Sequence, residues 1–263
     1  MNWKRILLSV IVPLFSGQIL FAQPDKVNHA EPLFLDLVRD LGARKGEKEI
    51  NIGADFIKGK RYNEQAYLIE YEFAPINRLG IEVEADIAIF TRNGKHTEGI
   101  PQNKWEALRL SSQYSFFVST EINTTLAVGY TQIIEMADFE HYGKDRLITG
   151  TAFNPYFIAA KRWGANLHSL LYISPIISQH FETKHWSSRF QVNASMHYVF
   201  NRTKHFIGIE LNQETFSNSY ELTVRPQVKF KMSSRLAIGA VLGIPIHHTQ
   251  QQVSSFVRVI YEL

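Results

Sequence analysis

A regular alternation of apolar and polar residues is the feature that most constrains this chain. It is clearest in residues 219–232, which read SYELTVRPQVKFKM. A period of two residues gives a β-strand with one apolar and one polar face. In a water-soluble sheet the apolar face meets a core. In an outer-membrane barrel the apolar face meets lipid and the polar face lines the lumen, so this stretch alone does not choose between the two.

The same pattern recurs along the chain and predicts twelve strands. Most of them run for 10–15 residues, longer than an average globular strand and sufficient for a tilted strand to cross a bilayer. The sixth, seventh and eleventh strands alternate less clearly than the others. The predicted spans are 47–57, 65–74, 79–90, 104–117, 121–135, 147–161, 166–178, 186–200, 205–213, 219–232, 235–247 and 252–263.

The connections and the aromatic residues favour a membrane barrel over a soluble sandwich. Connections after even-numbered strands are short, whereas those after odd-numbered strands tend to be longer and include 91–104 and 136–146. Short turns on one side and long loops on the other are typical of outer-membrane barrels. Aromatic side chains near the short turns predict a membrane girdle. Its members are Phe73, Phe116, Trp163, Tyr198, Phe230 and Tyr261.

Four prolines are difficult to place in a closed barrel. Each lies inside a predicted strand and lacks the N–H group that a ladder hydrogen bond needs. We therefore expect bulges, or misplaced strand ends, at Pro155, Pro175, Pro226 and Pro245.

Composition and the N-terminus place the barrel in the outer membrane. The 263 residues carry a net charge of only +3, which gives no reason to expect a nucleic-acid partner. With no cysteine, the chain has neither disulfides nor thiolate metal sites. Residues 1–22 have a basic start, an apolar stretch and Ala22 before the predicted cleavage, as in a secretory signal peptide.

The predicted fold class is therefore all-β, a closed antiparallel transmembrane β-barrel of about 12 strands with a short N-terminal helix. The barrel occupies residues 47–263 and the signal peptide 1–22. Between them, residues 23–46 form a periplasmic segment in which Leu33, Leu37 and Leu41 have helical spacing and Gly42 ends the helix. Such a segment either plugs the pore from below or packs against the rim of the barrel.

Charged residues on the inward faces predict the wall of the lumen. The acidic members lie on the first three strands: Glu49, Asp55, Glu70, Glu72, Glu82, Glu84 and Asp86. The basic members lie on the fourth, eighth, tenth and twelfth strands: Arg109, Arg189, Arg225, Lys229, Lys231 and Arg258. An acidic wall then faces a basic one. This arrangement suits either an internal salt-bridge network that fills the barrel or a polar passage that orients a small solute.

The N-terminal segment carries a resemblance to a known group of proteins. Residues 29–49, HAEPLFLDLVRDLGARKGEKE, resemble the start of Gram-negative outer-membrane proteins, chiefly from Bacteroidota, for which no activity is assigned. The barrel as a whole resembles putative outer-membrane transporters, including phenol-degradation barrel proteins. The resemblance implies transport of a small molecule and carries over no binding or catalytic residue.

The expected partners are outer-membrane lipid, a small-molecule solute and the barrel-assembly machinery. For the last of these, the end FVRVIYEL resembles the C-terminal assembly signal, although that signal usually ends in an aromatic residue and here ends in Leu263.

We expect a channel or transporter for a small solute, with no cofactor and no metal, because the sequence has no phosphate loop, dinucleotide fingerprint or zinc spacing. The alternatives are a closed structural or adhesion barrel with a salt-bridged lumen and a surface lipid-modifying enzyme. The enzyme alternative draws on His180, His185, Ser187 and Ser188 in one loop region, where no family motif surrounds them.

Overall fold

The structure is a computed structural model that describes residues 26–35, 37–93, 99–144, 146–217, 219–247 and 251–263. Within these ranges the chain forms twelve antiparallel strands that close into one barrel, which confirms the predicted barrel. The predicted signal peptide lies outside the described residues. The strands are β1 (Lys48–Gly59), β2 (Tyr62–Ile76), β3 (Leu79–Arg92), β4 (Lys104–Ser119), β5 (Thr124–Met136), β6 (Ile148–Trp163), β7 (Leu167–His180), β8 (His185–Val199), β9 (Phe206–Thr215), β10 (Tyr220–Lys231), β11 (Leu236–His247) and β12 (Gln251–Glu262).

The first and last strands close the barrel. Each strand pairs with its neighbours in sequence, and β1 pairs with β12 from Glu49↔Glu262 to Gly59↔Gln251. The backbone N–H of Leu263 donates to the carbonyl of Lys48 at 3.0 Å, so the seam continues to Leu263. No strand edge is left free in the described sheet order, which is how a barrel satisfies its backbone in lipid.

The alternation of side chains follows the predicted faces. In β1, Asn51 and Asp55 are buried inside the barrel while Ile52 and Phe56 are exposed outside. The apolar outside and polar inside are the reverse of a soluble domain, and they explain why exposed large apolar side chains occur around the barrel.

The connections alternate less than the sequence indicates. Two connections between odd- and even-numbered strands are long, 93–103 and 137–147, and they define the long-loop end of the barrel. At the same end, β1 and β2 are joined by residues 60–61 alone. The opposite, short-turn end carries turns such as 77–78 and 164–166. The predicted alternation therefore holds for two loops rather than for the whole set.

Two of the four prolines face each other across one strand pair. The β6–β7 ladder runs from Gly150↔His180 to Phe153↔Ile177 and resumes at Phe157↔Ile173, so Pro155 lies opposite Pro175 in the gap. Since neither proline can donate, Ser174 Oγ donates to the Pro155 carbonyl at 2.9 Å instead. Pro226 stays paired with Ile209 of β9, and Pro245 lies next to a register shift between β10 and β11.

The predicted N-terminal helix is not found among the described residues of the segment before β1. Residues 26–47, without residue 36, form bends and turns, and no described helix of the chain is long and apolar enough to cross a membrane. A helix would place Leu33 and Leu37 on one face. In the structure they pack against different parts of the barrel wall, and the backbone N–H of Leu33 donates to Gln227 Oε1 at 2.7 Å.

Candidate functional site

The N-terminal segment, residues 26–35 and 37–47, lies inside the barrel between two apolar patches of the wall. Leu37, Val38 and Leu41 pack on the patch formed by β5, β6 and β7: Ala127, Tyr156, Ile158, Ala160, Leu170 and Tyr172. Ala30 and Leu33 pack on the patch formed by β9, β11 and β12: Phe206, Val241 and Phe256. Burying one leucine contributes about 2 kcal/mol, so these contacts hold the segment in place.

Arg39 ties the segment to the acidic wall. Its side chain is 4% exposed, and Nη1 donates to Glu49 Oε2 at 2.7 Å while lying 3.6 Å from Glu72 Oε2. Burial alone would lower the pKa of Arg39, but Asp40, Glu49 and Glu72 outweigh it and raise that pKa. The guanidinium therefore stays charged and lies between two carboxylates that the sequence assigns to the lumen.

A second set of ion pairs folds the segment back on itself. Lys26 Nζ lies 2.9 Å from both Asp40 Oδ2 and Glu47 Oε2. The pKa of Asp40 is lowered because Arg39 and Lys26 outweigh the effect of burial. Burial, followed by the charge on Asp40, raises the pKa of Glu31 to about 8, so Glu31 holds its proton at neutral pH.

Histidines fix the start of the segment. The Ala30 N–H donates to Nδ1 of His168 on β7 at 2.8 Å, and His29 Nε2 lies 3.0 Å from Thr125 Oγ1. Burial, with the nearby His168 and Arg162, lowers the pKa of His29 to about 4. At neutral pH the His29 ring is therefore uncharged.

On the long-loop side of the segment lies a cavity of about 490 Å³, here called the long-loop chamber. Its floor is formed by Phe34, Leu35 and Val38 of the segment. The wall opposite β1–β4 carries amides and tyrosines: Gln191, Asn193, Asn212, Tyr156 and Tyr172. Among the described residues, eight carboxylates and two cations line this chamber: Asp55, Glu64, Glu82, Glu84, Asp86, Glu106, Glu214 and Glu221 with Arg109 and Arg225.

On the opposite side lies a cavity of about 320 Å³, here called the short-turn chamber. Its described lining is balanced in charge, with five carboxylates and five Lys or Arg side chains. They are Glu31, Asp40, Glu49, Glu72 and Glu262 with Arg162, Lys204, Lys229, Lys231 and Arg258. The segment separates the two chambers. Carboxylates outnumber cations in the described lining of the long-loop chamber, whereas the two are equal in number in the short-turn chamber.

The structure places the predicted lumen residues in three groups. Glu49 and Glu72 contact Arg39, and Glu70 pairs with Arg258 of β12 across the seam. Arg109 Nε lies 2.6 Å from Asp86 and 3.8 Å from Glu84, while Arg189 pairs with Glu214 at 3.1 Å near the rim. Asp55, Glu82 and Arg225 line the long-loop chamber, and Lys229 and Lys231 the short-turn chamber.

The predicted girdle residues lie near the short-turn end of the barrel. Trp163 is 52% exposed and its Nε1 donates to Ser169 Oγ at 2.9 Å. Phe73 stacks on Tyr71, with ring centroids 5.8 Å apart. The remaining members are exposed on the barrel surface: Phe116, Tyr198, Phe230 and Tyr261.

Sequence reasoning missed the apolar patches inside the barrel and the amide wall of the long-loop chamber. The signal was present in the weak alternation of the sixth, seventh and eleventh strands. In β6 and β7, Ile158 and Leu170 are inward-facing apolar residues that contact the segment, so both faces of these strands are apolar. No described group of His, Asp and Glu side chains is arranged to hold a metal ion.

A closed antiparallel barrel with a polar interior is the architecture of porin-like outer-membrane channels. Solved structures share it. The COG4313 outer membrane channel from Pseudomonas putida F1 superposes with a TM-score of 0.69 at 9% identity, over 87% of this chain and 100% of that one. The KdgM porin gives 0.56 at 15% identity (82% and 99%), and the NanC porin 0.58 at 8% identity (81% and 100%). At sequence identities this low, the similarity to these structures establishes the fold alone.

The chain belongs to the HAEPLYID-like family, whose model matches residues 25–262. The eight letters of that description agree at six positions with residues 29–36, HAEPLFLD, within the segment that lies in the barrel. No curated protein matches the chain in sequence.

Proposed function

We propose that the protein is an outer-membrane channel for a small solute, in which the N-terminal segment controls the path through the barrel. The observation that carries the proposal is a pair of polar chambers on the two sides of this segment inside a closed barrel. The 490 Å³ chamber has the volume of a typical small-molecule site.

Localisation follows from the same proposal. A signal peptide at residues 1–22 directs export, the exposed apolar belt faces outer-membrane lipid, and the assembly machinery recognises the last strand. The long-loop end then faces the exterior and the short-turn end the periplasm. In this orientation the segment enters the barrel from the periplasmic side and acts as a plug.

The solute of one structural neighbour, the KdgM porin, does not suit the long-loop chamber of this chain. The KdgM porin is known in complex with oligogalacturonate, which is a polyanion. Eight carboxylates and two arginines line the long-loop chamber, so a polyanion would enter against an unfavourable potential. The fold is shared while the charge of the chamber differs from what such a solute needs.

The second candidate is a closed structural barrel, and specific contacts favour it. The Arg109–Asp86 ion pair fills part of the interior, and the Arg39–Glu49 ion pair holds the segment in place. The channel and the structural barrel differ in whether the segment moves.

A reversible crosslink separates the two candidates. Because the chain has no native cysteine, only the two introduced cysteines can form it. A Cβ built on Gly239 would lie 3.2 Å from Leu33 Cγ, a separation that suits a disulfide between the two positions. We expect the Leu33→Cys/Gly239→Cys protein to conduct less in planar bilayers when oxidised and to recover when reduced. Each single-cysteine variant is the control.

Absence of conductance in three folded proteins would overturn the channel. These are the unsubstituted protein, the reduced double variant and a variant with a displaced segment. Heat-dependent migration on gels establishes in each case that the barrel is folded.

A further inference from the structure

The long-loop chamber is lined by more carboxylates than cations among its described residues. Two described cations outside the lining also reach it: Arg189 pairs with Glu214 at 3.1 Å and Lys104 with Glu106 at 3.0 Å. Counting these two with Arg109 and Arg225 still leaves twice as many carboxylates as cations. The short-turn chamber shows no such excess among its described lining residues, so the asymmetry belongs to one side of the segment.

Asp55 is the carboxylate that points most directly to a missing cationic partner. It lines the chamber, is 7% exposed, and its Oδ1 atom has no hydrogen-bond partner within the described structure. Arg225 of the same wall is close enough to interact with Asp55 electrostatically, but the hydrogen bond that its Nη1 donates goes to Ser254 Oγ at 3.1 Å. A buried carboxylate oxygen without a donor is unfavourable, and a cationic N–H group entering the chamber would satisfy it.

The floor of the chamber already binds one cation through an aromatic ring. The guanidinium carbon of Arg225 lies 3.3 Å from the centroid of Phe34. Tyr156 and Tyr172 stack on each other at 5.1 Å and present further ring surface to the same space. Aromatic faces attract ammonium and guanidinium groups, whereas they offer nothing to a carboxylate.

Amide side chains complete the site on the opposite wall. Asn212 Nδ2 donates to Asn193 Oδ1 at 2.8 Å, and Asn212 Oδ1 is buried without a described donor. Asn212 Nδ2 also donates to Glu210 Oε1 at 2.6 Å, so its N–H groups are used and its free Oδ1 is an acceptor for a hydroxyl or amine group of a solute. The chamber thus offers carboxylates for a positive group and amides for a polar body.

We propose that the long-loop chamber selects small polar organic cations, with an ammonium or guanidinium group directed at Asp55 and the acidic wall of β1–β4. The proposal rests on the proposed channel function and names the class of solute that the channel takes. Carboxylate-lined constrictions favour cations in channels generally. Here Asp55, Phe34 and the amide wall add contacts that inorganic cations alone do not need.

Three sugars of similar size test the selectivity. Swelling of protein-containing liposomes is measured in glucosamine, glucose and glucuronate, which are cationic, neutral and anionic. We expect glucosamine to enter several-fold faster than glucose, and glucose faster than glucuronate. In a KCl gradient across a planar bilayer, the zero-current potential should have the sign of cation selectivity.

Two variants assign the selectivity to the chamber. Asp55→Asn/Glu64→Gln removes two charges from the chamber and should bring the glucosamine and glucose rates several-fold closer together. Glu121→Gln removes one charge from an exposed turn outside the chamber and should leave the ratio unchanged. Folding of each variant is checked by heat-dependent migration on gels.

The outcomes separate this proposal from the channel itself. A conducting protein with equal rates for the three sugars, or with anion selectivity, overturns the cation proposal and leaves the channel standing. A ratio that Asp55→Asn/Glu64→Gln does not change also overturns it. Protein that folds but conducts nothing, even with the segment displaced, overturns both.

Discussion

Arg39 holds the N-terminal segment to the barrel wall through both its side chain and its backbone. It reaches Glu49 at 2.7 Å and Glu72 at 3.6 Å, and its carbonyl accepts from Gln113 Nε2 at 3.1 Å. Its backbone also has a positive φ of 64°, a conformation that few residues other than glycine adopt. Sequence reasoning assigned Glu49 and Glu72 to the lumen wall, but nothing in the pattern of Arg39 identified it as their partner.

Arg39→Met should release the segment by leaving two carboxylates without their cation. Breaking a buried ion pair on one side costs about 3 kcal/mol, and the cost falls on the docked state of the segment. We expect higher single-channel conductance and faster proteolysis of the segment, with the barrel still migrating as folded. Arg235→Met, in an exposed turn, is the matched control. Unchanged conductance in the folded Arg39→Met protein would contradict this role.

Gly80 provides a second, purely steric test. A Cβ at this strand position would lie 2.2 Å from the Val38 carbonyl oxygen, which belongs to the backbone of the segment and must therefore move. We expect Gly80→Ala to displace the segment and raise conductance. Gly53→Ala also adds a methyl group inside the barrel but meets side chains of the wall, Leu68 and Phe256, at 2.8 Å. If both variants raise conductance equally, loosening of the wall rather than displacement of the segment explains the effect.

Among the elements, the N-terminal segment differs most from its prediction. Helical spacing of Leu33, Leu37 and Leu41 predicts a common face, yet these residues divide between two patches of the wall. The spacing is a local signal, whereas the segment lies in a barrel whose side chains already supply hydrogen-bond partners for its backbone. The N–H of Leu33 donates to Gln227, that of Leu35 to Glu210 and that of Gly42 to Ser115. Because these backbone groups already have partners in the wall, the segment gains little from forming a helix.

Docking of the segment should depend on pH through two groups, His29 and Glu31, whose effects on docking run in opposite directions as the pH changes. His29 has a pKa of about 4 when docked and an ordinary value of 6.5 when free, so the free state binds more protons between these values and docking weakens as pH falls through this window. Glu31 has a pKa of about 8 when docked, against 4.5 when free. Its docked state therefore binds more protons, and its contribution weakens docking as pH rises from 4.5 to 8.

Glu31→Gln isolates the histidine contribution, since glutamine keeps the oxygen that accepts from the Leu41 N–H. In this variant we expect conductance to rise steadily between pH 7 and pH 4 as His29 gains charge beside Arg162. Adding His29→Gln should flatten most of that rise. A pH profile that the second substitution leaves unchanged would show that His29 does not control docking.

For the whole molecule, the alternation within the strands predicted the barrel once it was combined with the connections and the aromatic residues. The twelve strands, their antiparallel order and the polar interior follow from local patterns, because each strand carries its own two-faced sequence. The chambers could not be predicted in the same way. They depend on where the segment lies, and that position is set by contacts between residues as distant in sequence as Leu33 and Arg258, whose Nη1 donates to the Leu33 carbonyl at 3.3 Å.

The lipid-facing surface gives a prediction about the barrel as a whole. Val257 and Val253 lie on the same outward face of β12 and are 42% and 43% exposed, but Val257 is near the middle of the strand and Val253 near its long-loop end. In lipid vesicles Val257→Arg should lower the free energy of unfolding by about 3 kcal/mol, and Val253→Arg by less than about 1 kcal/mol. Urea titration measures both values. Equal losses would argue against a membrane centred on the barrel.

The ion pairs of Lys26 have a consequence for the path that the segment can take. Because Lys26 contacts Asp40 and Glu47, the described chain enters the barrel and returns to β1 at the same rim. The segment is thus a re-entrant loop, and the barrel is not threaded by it. The segment can therefore leave the barrel without forming a knot or opening a strand pair. The seam between β1 and β12 stays closed while the two chambers join into one continuous passage.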